Sequence, residues 1–332
     1  MKLNPIFSSH MVFAANKPIR IYGEGAGTAE VSFAGLTGSV TSESDSWLIE
    51  LPSLPVGGPY ELHIRMDSEE TVLTDVFVGT VILYAGQSNL QFKLSASTTP
   101  RDAWRDEPRA RLFSTERVEQ GEDFHPSEGW VPCRAESAGK WSAIAYHTSR
   151  MLAETRGVVG AIGCWQGASC IETWVPAGLF RQHGICLSED ELFLDHWCEN
   201  FSRWNSGGYL YERQFSQVKP FSVSAVVWYQ GESDQSLAEG LVYADELCLL
   251  IDQWRADFAD PGLPFIVVQI AEYTPRYDDG WRAVQKAQLD VQGMRNGVKT
   301  VISADVCETD DIHPPTKDKL SRRIADALST LV

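Results

Sequence analysis

The stretch Val76-Phe77-Val78-Gly79-Thr80-Val81-Ile82-Leu83-Tyr84-Ala85-Gly86-Gln87-Ser88-Asn89-Leu90 decides the fold. Its first nine residues carry a single polar side chain, Thr80. A strand with one wet face would alternate, so this run reads as a strand covered on both faces. It then breaks abruptly into glycine, amides and one serine. In parallel sheets covered by helices, ligands bind beyond the carboxyl ends of the strands. Ser88 sits in that place, although a serine after a strand is commonly only a turn residue.

Working outward, the pattern recurs in VVGAIGCW (158–165), SAVVWYQ (224–230), PFIVVQIA (264–271) and VKTVISADV (298–306). Helical spacing fills the gaps. Residues 142–156 read as a helix stopped by Gly157. Residues 243–258 place Tyr243, Leu247, Leu250, Ile251, Trp254 and Phe258 on one stripe, and 281–294 and 317–331 are two further helices. Strands alternating with helices predict an α/β/α sandwich with a parallel sheet over residues 76–332. Upstream, residues 1–75 hold short alternating runs around 18–22, 29–33, 47–51 and 60–64, separated by GEGAG, SESDS and PVGGP. They predict a small antiparallel β-sandwich domain.

Composition narrows the function. The 332 residues are 43% hydrophobic and carry a net charge of −17, which argues against a nucleic-acid partner. A local pocket can still oppose that field, so an anionic small molecule is not excluded. No run approaches the roughly 18 apolar residues of a membrane span. The start, MKLNPIFSSHMVF, has no apolar signal core with a cleavage site. A soluble, cytoplasmic protein is the expectation. Seven cysteines, an odd number without a CxxC pair, agree with a reducing compartment. No Cys/His cluster has zinc-ligand spacing, and neither a metal nor an organic cofactor is expected. The sequence leaves the oligomeric state open, a homo-oligomer included.

Three more predicted strand ends are chemically dense. One runs into Gln166-Gly167-Ala168-Ser169-Cys170-Ile171-Glu172-Thr173-Trp174, where small residues let backbone N–H groups approach a ligand oxygen. Another ends in Trp228-Tyr229-Gln230-Gly231-Glu232-Ser233-Asp234, and Asp310-Asp311-Ile312-His313-Pro314 precedes the last helix. QGES by itself reads equally as a helix cap, and DDIHP as an acidic turn. Together with Ser88 they supply a nucleophile, a base with adjacent carboxylates, and two donor-rich turns, the requirements of acyl transfer by a serine. The GxSxG elbow is absent. The remaining histidines lie elsewhere: 10 and 63 in the small N-terminal part, 147 inside a helix, and 125, 183 and 196 in connecting segments.

These four blocks, in this order, resemble the SGNH hydrolase superfamily, and within it the sialate O-acetylesterase branch and its acetylxylan-esterase relatives. Gly86 to Asn89 match the branch's GQSN; Leu90 replaces its methionine and Gln91 is kept. Trp228 to Asp234 match WYQGES followed by Asn or Asp, and Asp311 to Pro314 match DIHP, with Lys317 beyond. The second block, typically WGGTPIEAW, is here WQGASCIETW, one residue longer. The N-terminal segments KPIRIYGEG and WLIELPSLPVGGPYEL are similar to the family's β-domain, so the resemblance covers nearly the whole chain.

The resemblance implies an esterase that removes O-acetyl groups from sugars through an acyl-enzyme on Ser88. Its expected targets are sialic acids; acetylated xylan fragments or other acetyl sugars are the alternative. His313 would be the base. The superfamily at large points to Asp310 as its orienting carboxylate, and the sialate-esterase branch to Asp311. The oxyanion would meet the N–H of Ser88, the amide at Gly167 or Ala168, and the Gln230 side chain. Asn89, Glu232, Trp174 and Arg282 are the candidates for contact with the sugar, and Trp165 and Trp228 lie near enough in sequence to add an apolar face. A non-catalytic carbohydrate-binding protein on the same scaffold is the rival from another class.

Overall fold

The computed structural model of the protein describes residues 1–115, 117–118, 124–125, 127–196 and 198–332. Its organising element is one long strand, β1 (Glu69–Gly86), which serves both halves of the chain. Its first part pairs antiparallel with Gly57–Met66 and parallel with Val12–Ala14. Its second part is the middle of the central sheet. Burial follows the sequence pattern: it alternates through the first part and is unbroken from Val81 to Gly86. The composition change at residue 75 thus falls within a continuous strand.

Five more strands complete the parallel core: β2 (Glu107–Ser114), β3 (Val159–Trp165), β4 (Ala225–Tyr229), β5 (Phe265–Val268) and β6 (Val298–Val301). Their spatial order is β2-β3-β1-β4-β5-β6, all parallel, with Val131–Cys133 antiparallel on the β2 edge. β2 escapes the sequence reading because EPRARLFS mixes charged and apolar residues: only Ala110–Phe113 are buried, after a more exposed start at Glu107–Arg109. Four helices cover the sheet: α1 (Ala143–Arg156), α2 (Leu237–Asp257), α3 (Asp279–Met294) and α4 (Asp318–Ser329). They pack as two pairs, α1 with α4 and α2 with α3. α2 starts six residues before its apolar stripe because Ser236 and Glu239 form a capping box. Among the described residues no helix is long and apolar enough to cross a membrane.

The N-terminal part places Ile19–Glu24 between Lys2–Leu3 and Ser46–Leu51, antiparallel. Gly27–Phe33 lies between Leu36–Ser42 and Gly57–Met66, also antiparallel. Arg20 fastens this part to the end of α2 by donating to Phe258 O at 2.7 Å, and Phe13 stacks on Phe221. The chain reverses its winding direction around β1: β2 and β3 lie on one side, β4 to β6 on the other. Such a switch opens a crevice at the carboxyl ends.

Candidate active site

The four chemically dense segments meet at that crevice. β1 ends in Gly86 at φ +141°, where a Cβ would stand 2.1 Å from Tyr229 O, so only glycine lets β1 and β4 stay paired to their ends. Ser88 follows at once, as the first residue of the short helix Ser88–Gln91. Its backbone N–H therefore has no acceptor in the preceding turn. A cleft of about 530 Å³ is lined by Ser88, Gly167, Ala168, Glu232 and His313, with Gln166, Trp204 and Arg276 farther around the wall.

Hydrogen-bond bookkeeping shows which donors remain for a ligand. The Gly167 N–H is taken by Gln91 Oε1 at 3.0 Å. The next residue, Ala168, is held at φ +53°, a left-handed conformation rare outside glycine. Its N–H has no acceptor among the described residues. The Ser88 and Ala168 amides are thus uncommitted backbone donors beside Ser88 Oγ among the described residues. On the wall, the buried Gln166 Oε1 and Trp204 Nε1 also have no hydrogen-bond partner. Trp204 packs against Phe201 at 5.8 Å and gives the cleft its aromatic side.

Beneath the cleft lies a buried polar chain. Asn89 Nδ2 donates to Glu232 Oε1 at 2.6 Å and to Ile312 O at 2.9 Å, while Asn89 Oδ1 accepts from Lys317 Nζ at 2.6 Å. Asn89 thereby joins the serine segment to the histidine segment. Burial pushes Lys317 down to about 8 and pushes Glu232 above the usual carboxylate range. His313 is lowered by its own burial and by the Lys317 charge, against an opposing pull from Asp311.

Comparison with known proteins is informative at this point. Residues 197–330 match the family profile described as carbohydrate esterase, sialic acid-specific acetylesterase. These residues belong to that family. Over 86% of its length the chain is 25% identical to a sialate O-acetylesterase from Rattus norvegicus and 23% identical to one from Homo sapiens. It spans about three-fifths of the length of these curated relatives, 63% and 60%. A solved structure, a carbohydrate acetylesterase from Xanthomonas citri, superposes with a TM-score of 0.85 at 25% identity, covering 99% of this chain and 75% of that one.

Within this cleft, the geometry departs from several sequence expectations. Gln230 is fully buried and does not reach the cleft: its Nε2 donates to Ser169 O at 2.8 Å and to Asp234 Oδ2, and its Oε1 accepts from Tyr243. It braces two loops and has no hydrogen left for an oxyanion. The Gly167 amide is likewise committed, and Ala168 supplies the free one. Asn89 is buried below the cleft, away from any sugar. Trp174 is fully buried, edge-on to Trp228 at 6.1 Å, and Trp165 and Trp228 are buried too. Arg282 is exposed outside the cleft, paired with Asp279 and lying over the Tyr277 ring.

Neither Asp310 nor Asp311 hydrogen-bonds to the His313 ring among the described residues. Asp311 Oδ1 instead accepts the His313 backbone N–H at 2.8 Å, and its charge is the carboxylate influence felt at the imidazole. Glu232 lines the cleft and anchors Asn89. Gln91, Gln166, Trp204, Arg276 and the function of Lys317 were missed. Gln91, Gln166 and Lys317 stood in or beside recognised blocks; Trp204 and Arg276 lie in segments with no local signal. The His125 side chain lies outside the described residues.

Proposed function

We propose that the protein is a serine carbohydrate esterase that removes O-acetyl groups from sugars, with O-acetylated sialic acid as the substrate. The observation that carries the reaction is the shared cleft of Ser88 and His313 with two uncommitted backbone N–H groups beside it. His313 takes the Ser88 proton as Oγ attacks the acetyl carbonyl carbon. The resulting oxyanion accepts from the Ser88 and Ala168 amides. Collapse expels the sugar oxygen, which takes the proton from His313 and leaves acetyl-Ser88. Water activated by His313 then releases acetate. No hydrogen bond joins Ser88 Oγ to the His313 ring among the described residues; contacts of this type tighten when substrate enters.

The preference for sialic acid over neutral acetyl sugars rests on Arg276. It stands at the cleft wall, over the Phe193 ring, and is ion-paired to no carboxylate among the described residues. A guanidinium so placed can take a sugar carboxylate bidentately. Acetate release is to be measured from O-acetylated sialic acid and from acetylated xylo-oligosaccharides. Ser88→Ala should lower turnover at least about a thousandfold. Arg276→Ala should raise KM about tenfold or more for the sialic acid alone. Turnover of neither sugar by the wild type would favour a carbohydrate-binding protein. Turnover of xylo-oligosaccharides alone, with no effect of Arg276→Ala, would favour the neutral-sugar esterase.

A further inference from the structure

Behind the cleft wall, three loops bring together side chains that the esterase reaction does not use. Cys170 Sγ, His196 Nε2 and an Asp234 carboxylate oxygen all lie within 4.8 Å of one another. A fourth atom joins them: Glu239 Oε1 is 2.8 Å from His196 Nε2, and Asp234 Oδ1 is 3.8 Å from the same nitrogen. The His196 side chain is 8% exposed and those of Asp234 and Glu239 are 3% exposed. A small cavity of about 200 Å³ adjoins them.

We propose that Cys170, His196, Asp234 and Glu239 form a structural site for a zinc-type divalent cation. The geometry points to a shared ion rather than a plain hydrogen bond. His196 Nε2 and Glu239 Oε1 stand 2.8 Å apart, an ion-pair distance, yet neither makes a hydrogen bond of regular geometry. Two ligands of one ion stand in this relation, each aimed at the metal and not at its neighbour. Ligands about 2.0–2.3 Å from a tetrahedral zinc lie about 3.2–3.8 Å apart; the 3.8 Å spacing of Asp234 and His196 fits, and Glu239, now 2.8 Å from the ring nitrogen, would draw back slightly as the ion enters. One thiol, one imidazole and two carboxylates suit zinc better than calcium or magnesium.

Charge favours a cation in the same place. Asp234, Glu239 and Glu246 are all buried, and Glu172 lines the adjoining cavity. His196 is the one buried group there able to carry positive charge; Arg181 reaches only the exposed rim. Outer contacts are in place as well. Asp234 accepts the Ile171 N–H, and Glu239 Oε2 accepts those of Phe193 and Ser236. Metal binding would displace the Cys170 proton, now donated to Ser233 O at 3.4 Å.

Four protein ligands leave no open position, so the ion would be a clip and not a catalyst. It would staple the loop carrying the Ala168 amide, the loop carrying Glu232 and the segment carrying Asp195. The experiment uses the full chain: metal content after incubation with zinc chloride and gel filtration, Tm with and without chelator, and absorption after cobalt substitution. About one ion per chain, a Tm lowered by chelator, and a thiolate-to-cobalt charge-transfer band lost in Cys170→Ser are expected. His196→Gln should reduce uptake at least about tenfold. Uptake below about a tenth of an ion with a chelator-insensitive Tm would overturn the proposal and leave a His196–Glu239 ion pair. A cobalt band that survives Cys170→Ser would overturn the ligand assignment. None of these readouts needs esterase activity, so they stand or fall apart from the reading of Ser88.

Discussion

Replacing Asn89 by alanine tests how the serine and histidine segments are held in register. The side chain is 1% exposed and makes three bonds, to Glu232, to Ile312 O and from Lys317. Two of the partners are ionisable and buried, so their bonds are of the charge-assisted kind, about 1.5–3 kcal/mol each; the bond to the Ile312 carbonyl adds about 1 kcal/mol. Truncation leaves all three groups without this partner at the floor of the cleft, Glu232 and Lys317 among them buried. The expected loss is about 4–7 kcal/mol, a large part of the roughly 5–15 kcal/mol that stabilises a typical domain. The assay is urea unfolding, with the midpoint converted through an unchanged slope. Kinetics supply the second readout. Once Ile312 is released, His313 loses its register with Ser88, and misplacement of about 1 Å costs about a hundredfold in kcat. KM should move little, because Asn89 does not line the cleft. A loss below about 1.5 kcal/mol together with an unchanged kcat would refute the latch.

Gln230→Ala should cost about 2–4 kcal/mol of stability by freeing Ser169 O, Asp234 and Tyr243, with kcat kept within about tenfold; a hundredfold fall in a folded variant would return Gln230 to the oxyanion hole. The acid limb of kcat/KM should lie below the ordinary histidine value of 6.5, since burial and the Lys317 charge disfavour the imidazolium. Lys317 is fully charged on that limb, titrating only at about 8, so Lys317→Gln should move the limb to higher pH; no movement, or movement downward, would show that Lys317 does not act on His313. Trp204→Phe, which removes an unpartnered indole N–H from the cleft, should raise KM, whereas Trp174→Phe should lower Tm and leave KM alone. The opposite pattern in the two tryptophans would restore the sugar face to Trp174.

Much of the architecture was legible because burial on two faces writes itself into sequence as unbroken apolar runs. β1, β3, β4 and β5 follow the runs found at 76–84, 158–165, 224–230 and 264–271 within a few residues at most boundaries. β2 was not legible, since its buried stretch is only Ala110–Phe113 and includes the charged Arg111. The break at Gly86 was legible as the end of the apolar run, and its φ of +141° is one that a side chain rarely permits.

The side-chain commitments were hidden for a different reason. A sequence shows that Gln230, Gly167 and Asn89 own hydrogen-bonding groups at strand ends, but not which partner reaches them first. Gln230 is claimed by Ser169 and Asp234, and the Gly167 amide by Gln91, 76 positions away. Every donor claimed inside the fold is one fewer for substrate, so the free donors emerge by subtraction only after tertiary contacts are known. The same holds for Cys170, His196 and Asp234. Their spacings of 26 and 38 residues match no short ligand motif, because three separate loops deliver them. Whatever function depends on proximity in sequence was visible at the start. What depends on leftover valence at the ends of the sheet, Ala168 in place of Gly167 above all, required the whole set of contacts.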